Sequence, residues 1–325
     1  MPQATREIKR RIRSIGNTRQ ITKAMELVSA AKMRRAVANV LATRTYAQLA
    51  WELVTELAYR TDPSHHPLLR THPHVPRVAV VVVSANRGFC GGFNYQLAAR
   101  VAAFAARERE QNPALAVDLV TVGRRARDSL VRQGFSVVAD FPKIDVTTKL
   151  EQAQPLAELV RQGYLGSTYG RVLVAYTDFI SALSQKPRLK QILPITTEAD
   201  PYLGSARAPR DPLATSQWPL ANAAESAARN QELGTSGYNY EYLFEPSPDE
   251  VLDDLLPRLI EVQLYQAMLE SDASEHSARM LAMRNASDAA KDMIDSLTLA
   301  FNQARQAGIT AELAEITAGR VAVEG

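Results

Sequence analysis

Among 325 residues there is one cysteine, Cys90, which excludes an internal disulfide framework and fits a reducing compartment. Histidine is absent from residues 75–196, so neither Cys90 nor any serine there has an imidazole base nearby in sequence. No apolar run reaches the ~18 residues needed to cross a bilayer, so the expectation is a soluble or peripheral protein. Proline is missing between Thr5 and Arg60. Acids are nearly missing from residues 6–36, where ten Lys or Arg stand against Glu7 and Glu26. The net charge of the whole chain is only +3, so this excess is local and calls for an acidic partner surface. The helical signal runs on through Leu57, so the Arg-rich start is expected to be part of a folded helix rather than a transit peptide.

What is present falls into three parts. From Thr5 to about Arg60, good helix formers dominate, with Ile8, Ile12 and Ile15 on one stripe. Beyond Gly16 the stripe is expected to move round to Ile21, Met25 and Val28. A helix of that length cannot bury itself and needs a long partner. The other end supplies one. After Ser247-Pro248-Asp249-Glu250, a capping serine with proline in the first turn, helix is expected to about Thr317. Counting in sevens from Leu252 gives Leu259, Gln266, Ala273, Met280, Ser287, Ile294, Phe301 and Gly308, with a companion series from Leu255 through His276 to Ala304. Such a repeat predicts a left-handed coiled-coil seam, with Gln266 and His276 as polar residues that set register. Pro257 is expected to kink the first turns.

Between these helices, "RVAVVVVSA" (77–85), "AVDLVTVG" (116–123), "FSVVADF" (135–141), "GRVLVAYTDF" (170–179) and "LKQILPI" (189–195) read as strands alternating with helices. The fold class is therefore α/β with long helical arms: an antiparallel left-handed coiled coil of the terminal helices plus a small Rossmann-like α/β domain. The expected divisions are an N-terminal helix (1–60), a linker (61–76), the α/β domain (77–199), a flexible insertion (200–237), a foot loop (238–248) and a C-terminal helix with tip (249–325). The four histidines of "TDPSHHPLLRTHPHVP" (61–76) read as part of a solvated connector rather than a metal site.

The enzymatic candidate is "SANRGFCGGFN" (84–94), a Gly-rich turn between strand and helix. Its glycines match neither dinucleotide nor P-loop spacing, no lysine stands ready for phosphates, and a structural turn is the favoured reading. Cys90 reads as a small buried residue. No metal motif, cofactor site or catalytic set emerges. A nucleic-acid-binding arm is the alternative for the basic helix, but residues 249–317 carry more acids than bases.

"IKRRIRSIGNTRQITKAMELVSAAKMRRA", "RGFCGGFN", "YEYLFEPSPDEVL" (240–252) and "RMLAMRNASDAAKDMIDSLTLAFNQARQAGITAELAEI" (279–316) closely resemble the gamma subunit of the F-type ATP synthase. The resemblance implies a central rotor shaft without an active site of its own. It would couple rotation of a proton-driven membrane c ring to the catalytic sites of an alpha/beta hexamer. It also implies an epsilon-subunit partner, no nucleic acid, no cofactor, no direct membrane insertion, and a peripheral place on the cytoplasmic face of a bacterial plasma membrane. Carried over by position, Lys23, Met25 and Arg279, with Glu26 more loosely, would face the beta lever region. Arg305, Gln306, Thr310 and Glu312 would meet a beta catch loop, and Tyr242 and Glu245 the c ring.

Overall fold

The computed structural model describes residues 3–60, 66–143, 148–195 and 248–324. Tyr242, Glu245, Ser247 and the 200–237 segment lie outside them. Helix α1 spans Gln3–Arg60 and is uninterrupted, as its lack of proline allows. Then come β1 (Arg77–Val83), α2 (Phe93–Gln111), β2 (Ala116–Val122), α3 (Arg124–Arg132), β3 (Ser136–Phe141), α4 (Leu150–Leu165), β4 (Arg171–Phe179), β5 (Gln185–Leu193) and α5 (Pro248–Glu324). At 58 and 77 residues, α1 and α5 are about 87 and 115 Å long. The last helix continues past Thr317, where sequence pattern placed its end, through Gly319 to Glu324, a stretch with no proline to stop it. It also runs through Pro257 as one element; Asp253, whose carbonyl the proline ring cannot bond, sits at an exposed position where water reaches it.

The sheet order is β3-β2-β1-β4-β5. The first four strands are parallel, and β5 runs antiparallel to β4. The short turn at 180–184 leaves no room for a crossover and folds β5 back as a hairpin. Pro187 is tolerated because β5 is an edge strand. Valine on both faces of β1 reflects a strand covered on each side. Val78, Val80 and Val82 face α2 and α3, while Ala79, Val81 and Val83 face α4 and the first half of α5. The connector is largely exposed over its described part, including Pro67, Arg70, Thr71, Pro73, His74 and Pro76, but it is anchored at two points. Leu68 and Leu69 enter the core, and His72 stacks edge-on against Tyr164 at 4.8 Å.

Helix α5 is both core and shaft. Leu252, Leu256, Leu259, Leu264 and Met268 belong to the head's apolar cluster. From Gln266 to Ser271 every residue is buried, because the sheet covers one side of the helix and α1 the other. The pairing is antiparallel. Thr43 meets Gln266, Val40 and Ala36 pack with Leu269 and Ala273, and Thr22 meets Ser287. The two hydrogen-bonded pairs are 21 residues apart on each helix, three heptads, which is the repeat of a left-handed winding.

This register revises the expected path of the α1 stripe. It does not move round the helix after Gly16. Ile8 and Ile15 are followed at seven-residue steps by Thr22, Ser29 and Ala36, of which Ser29 and Ala36 are buried. Ile21 and Val28 are 61% and 57% exposed. Met25, the third residue of the expected stripe, is half-buried; small and hydroxyl-bearing seam residues carry little hydrophobic signal, so Ile21 and Val28 drew the apolar pattern away from the seam.

Candidate functional site

Two surfaces are built by this architecture: the sides of the shaft, and the junction where the shaft passes through the head. Arg279 still hydrogen-bonds the head, and about 45 residues of α5, roughly 67 Å of helix, follow it. On α1 the exposed positions include Lys9, Arg10, Arg13, Arg19, Lys32, Arg34 and Arg35, interleaved with exposed Ile21, Leu27 and Val28. Lys23 is 58% exposed and forms a 2.9 Å pair with Glu26 one turn on; Met25 is half-buried. On α5, Arg305, Gln306, Thr310 and Glu312 are all exposed, and the Thr310 hydroxyl donates to the Gln306 carbonyl at 3.0 Å.

The inter-helix register groups these residues. Arg279 stands level with Ala30, about 10 Å along the axis from Lys23. Arg305 lies 26 residues further along α5, roughly 39 Å away and level with the first turn of α1. The named contact positions therefore form one band beside the head and another near the far end. Arg279 differs from the rest. Its side chain is only 11% exposed, and its guanidinium donates to Glu275 at 2.8 Å and to the carbonyls of Gly88 and Arg87 at 3.3 and 3.4 Å.

The junction has a feature that sequence reasoning missed. Ser271, Ser274 and Ser277 follow at three-residue steps along α5, which places them in one row. Each donates its hydroxyl to a backbone carbonyl: Val83 at the end of β1 (3.1 Å), Thr177 near the end of β4 (2.9 Å) and Ala182 in the β4–β5 turn (2.6 Å). In open doubly wound sheets, ligands bind outside the carboxyl ends of the two strands between which the order reverses. Here those strands are β1 and β4, and α5 fills the crevice with hydroxyl-to-backbone contacts. Polar residues at a regular three-step in a helix otherwise apolar on that side were the signal available.

The Gly-rich turn sits against the same stretch. Ala85, Cys90 and Phe93 pack with Ala278, and Asn94 both accepts from the Ala85 amide at 3.0 Å and donates to the Cys90 sulfur at 3.1 Å. Burial pushes the Cys90 thiol up, which makes it a poorer nucleophile. Beneath the turn lies an ion cluster. Lys143 is buried between Asp272 (2.8 Å) and Glu275 (2.6 Å). Burial alone would pull Lys143 down, but the two carboxylates outweigh it and hold the ammonium above the usual lysine value. Burial would raise Glu275, and Lys143 with Arg279 overcomes that, bringing it to about 2. Desolvation lowers His276, which is half-buried and lies 3.4 Å from the Arg279 guanidinium.

The fold and these surfaces define a head-and-shaft protein: a small doubly wound head traversed by one of two long, antiparallel terminal helices. Nearly the whole chain, residues 4–323, matches the family described as ATP synthase. The chain belongs to the ATP synthase gamma-chain family. It is 40% identical over 327 residues to the ATP synthase gamma chain of Herpetosiphon aurantiacus, covering 98% of this chain and 99% of that one. It is 41% identical over 318 residues to the gamma chain of Heliobacterium modesticaldum, covering 98% of each. With 98% of this chain aligned, the 200–237 segment lies largely within the matched span. The fold is similar to a chain of the Euglena gracilis mitochondrial ATP synthase OSCP/F1/c-ring structure, with a TM-score of 0.59 at 17% identity, covering 98% of this chain and 94% of that one. It is also similar to a chain of the Tetrahymena thermophila mitochondrial ATP synthase central stalk/c-ring structure, with a TM-score of 0.54 at 22% identity, covering 82% and 99%.

Proposed function

We propose that this chain is the central rotor shaft of an ATP synthase, with the projecting helix pair standing inside a ring of alpha and beta subunits. The head would sit on a membrane ring of c subunits, with an epsilon subunit beside it. Turning of the c ring by proton flow would then turn the shaft, and its uneven sides would drive the alpha/beta sites through successive conformations. The single observation that carries this is the pair of terminal helices, wound in one register and extending far beyond the head.

A turning shaft favours contacts that tolerate changes of angle. Charge attraction is less angle-sensitive than interlocking side chains, and exposed pairs worth about 0–1 kcal/mol exchange readily. Lys23, Met25 and Arg279 would form the lower band against the acidic beta lever, and Arg305, Gln306, Thr310 and Glu312 the upper band against the catch loop. Tyr242 and Glu245 would meet the c ring. In this reading the chain does no chemistry: nucleotide and magnesium belong to the other subunits, and the crevice a nucleotide would use carries the serine row of α5. Its place would be peripheral, on the cytoplasmic face of a bacterial plasma membrane. No helix among the described residues is long and apolar enough to cross a membrane. The acid-rich α5 that pairs with the basic helix weighs against a nucleic-acid arm.

The test is reconstitution with the alpha and beta subunits of the same source. The expected result is azide-sensitive ATP hydrolysis that depends on adding this chain. Equal hydrolysis with and without it would overturn the reading.

A further inference from the structure

The ion cluster beneath the Gly-rich turn has a geometry that a simple packing role does not require. Lys143 leaves β3 two residues after Phe141 and reaches Asp272 and Glu275, which sit three residues apart on one face of α5. Each member is held from a second side. The Thr148 hydroxyl donates to Asp272, and the Asn86 amide donates to the Lys143 carbonyl at 2.7 Å. Glu275 also accepts from Arg279, which donates in turn to the carbonyls of Gly88 and Arg87. A continuous chain of charged hydrogen bonds thus runs from the β3–α4 connection, through α5, to the rim of the head.

Burying three charges carries a large desolvation cost, and well-packed apolar residues of similar volume generally stabilise a fold at least as well. What the ions add is a single geometry. Apolar contacts alone let a helix creep about its own axis, because many packings have similar energy; the serine row pins α5 at the ends of β1 and β4 and at the turn after β4, and the ions pin it on the side of the β3–α4 connection. A lysine seated between two carboxylates one turn apart fits at one rotation only, and its full burial excludes exchange with water.

We propose that Lys143 is a positioning residue that keys the head to α5 against twist and, through Glu275, fixes Arg279 at the head's rim. This inference rests on the shaft reading, in which torque entering the head must leave through α5.

The test uses the complex assembled with alpha and beta subunits, its ring fixed to a surface and a bead attached through Arg132→Cys on exposed α3; the buried Cys90 stays unlabelled. Angular fluctuation of the bead with the ring locked by nucleotide gives torsional stiffness. Lys143→Met is expected to lower stiffness by about twofold or more while unloaded ATP turnover stays within about twofold, and Lys143→Arg is expected to keep most of the stiffness. Asp272→Asn leaves Lys143 its pair with Glu275, survives assembly if Lys143→Met does not, and is expected to give an intermediate loss. Native stiffness in Lys143→Met, or in Asp272→Asn where only that variant assembles, would overturn the proposal. A second measurement stands apart from the shaft reading: in the chain alone, Lys143→Met is expected to speed amide exchange selectively at residues 86–92 and 271–279. Unchanged exchange there overturns the key even if no complex forms, whereas loss of assembly by the native chain counts only against the shaft.

Discussion

The hydroxyls of Thr22 and Ser287 lie 2.7 Å apart across the shaft, at a level where a helix pair ordinarily buries two aliphatic side chains. Ser287 also donates to the Met283 carbonyl at 2.9 Å, so neither helix depends on the other for its polar groups here. Nearer the head Val40 packs against Leu269, both about 1% exposed, beside the Thr43–Gln266 hydrogen bond. The shaft is thus held firmly at its root and loosely along its middle.

That gradient predicts unequal mutational effects. Leu269→Ala should destabilise by about 2–5 kcal/mol, through lost burial and the cavity left behind. Thr22→Val should change stability by less than about 1 kcal/mol, since Ser287 keeps its backbone partner. Urea midpoints of the two variants, compared with the native chain, check both; equal shifts would contradict the gradient.

Two glycines should respond oppositely to alanine. Gly123 has φ of +92°, and a Cβ there would stand 2.4 Å from the Ser84 carbonyl oxygen, so Gly123→Ala should cost about 3 kcal/mol or more. Gly16 has nothing within 4 Å of such a Cβ, and Gly16→Ala should stabilise α1 by up to about 1 kcal/mol. If Gly16 is a point of torsional compliance, the same substitution stiffens the rotating shaft. Unchanged stiffness in single-molecule rotation would remove that role.

Acid sensitivity follows from Glu275. Its folded value near 2 lies below the ordinary 4.5, so its contribution is present above pH 4.5 and is lost as pH falls towards 2. The loss is on the order of 2–3 kcal/mol. Lys143, raised above 10.5, contributes below that pH and loses its contribution only at higher pH, so the Lys143–Glu275 pair stays ionised from about pH 5 to 10. Glu275→Gln should flatten the acid limb of stability against pH between 4.5 and 2 while lowering stability at pH 7. Acid limbs of equal slope would show that other carboxylates dominate.

The basic face of α1 should act collectively. Neutralising Lys23, Lys32, Arg34 or Arg35 singly to Gln should alter ATP turnover of the reconstituted complex by less than about threefold, since exposed pairs contribute about 0–1 kcal/mol. Replacing all four should lower turnover further and weaken its dependence on salt. A single substitution as damaging as the quadruple one would instead mark a specific contact.

Much of the fold was legible beforehand. The absence of proline announced α1, the seven-residue repeat announced the seam face of α5, and β1 to β4 were visible as runs rich in β-branched residues, whereas β5 was placed at 189–195 and begins at Gln185. The direction of β5 was less visible, because its first half, "QKPR", has no apolar alternation. The proposed contact positions rest on whole-chain resemblance and not on any local pattern. An isolated lysine such as Lys143 offers no periodicity, and its carboxylate partners lie 129 and 132 residues away.

By itself the sequence determined that two long helices must pair outside an α/β domain, since each is too long and too one-sided to be buried alone. Tertiary structure alone decided which side of α1 meets α5, and that α5 runs through the head at the place a ligand would take. The physical reason is that periodicity records how often a face recurs, not what covers it. Where a helix is enclosed by the sheet on one side and a second helix on the other, small residues, serines and paired ions replace the apolar stripe, and only their neighbours in space reveal their purpose.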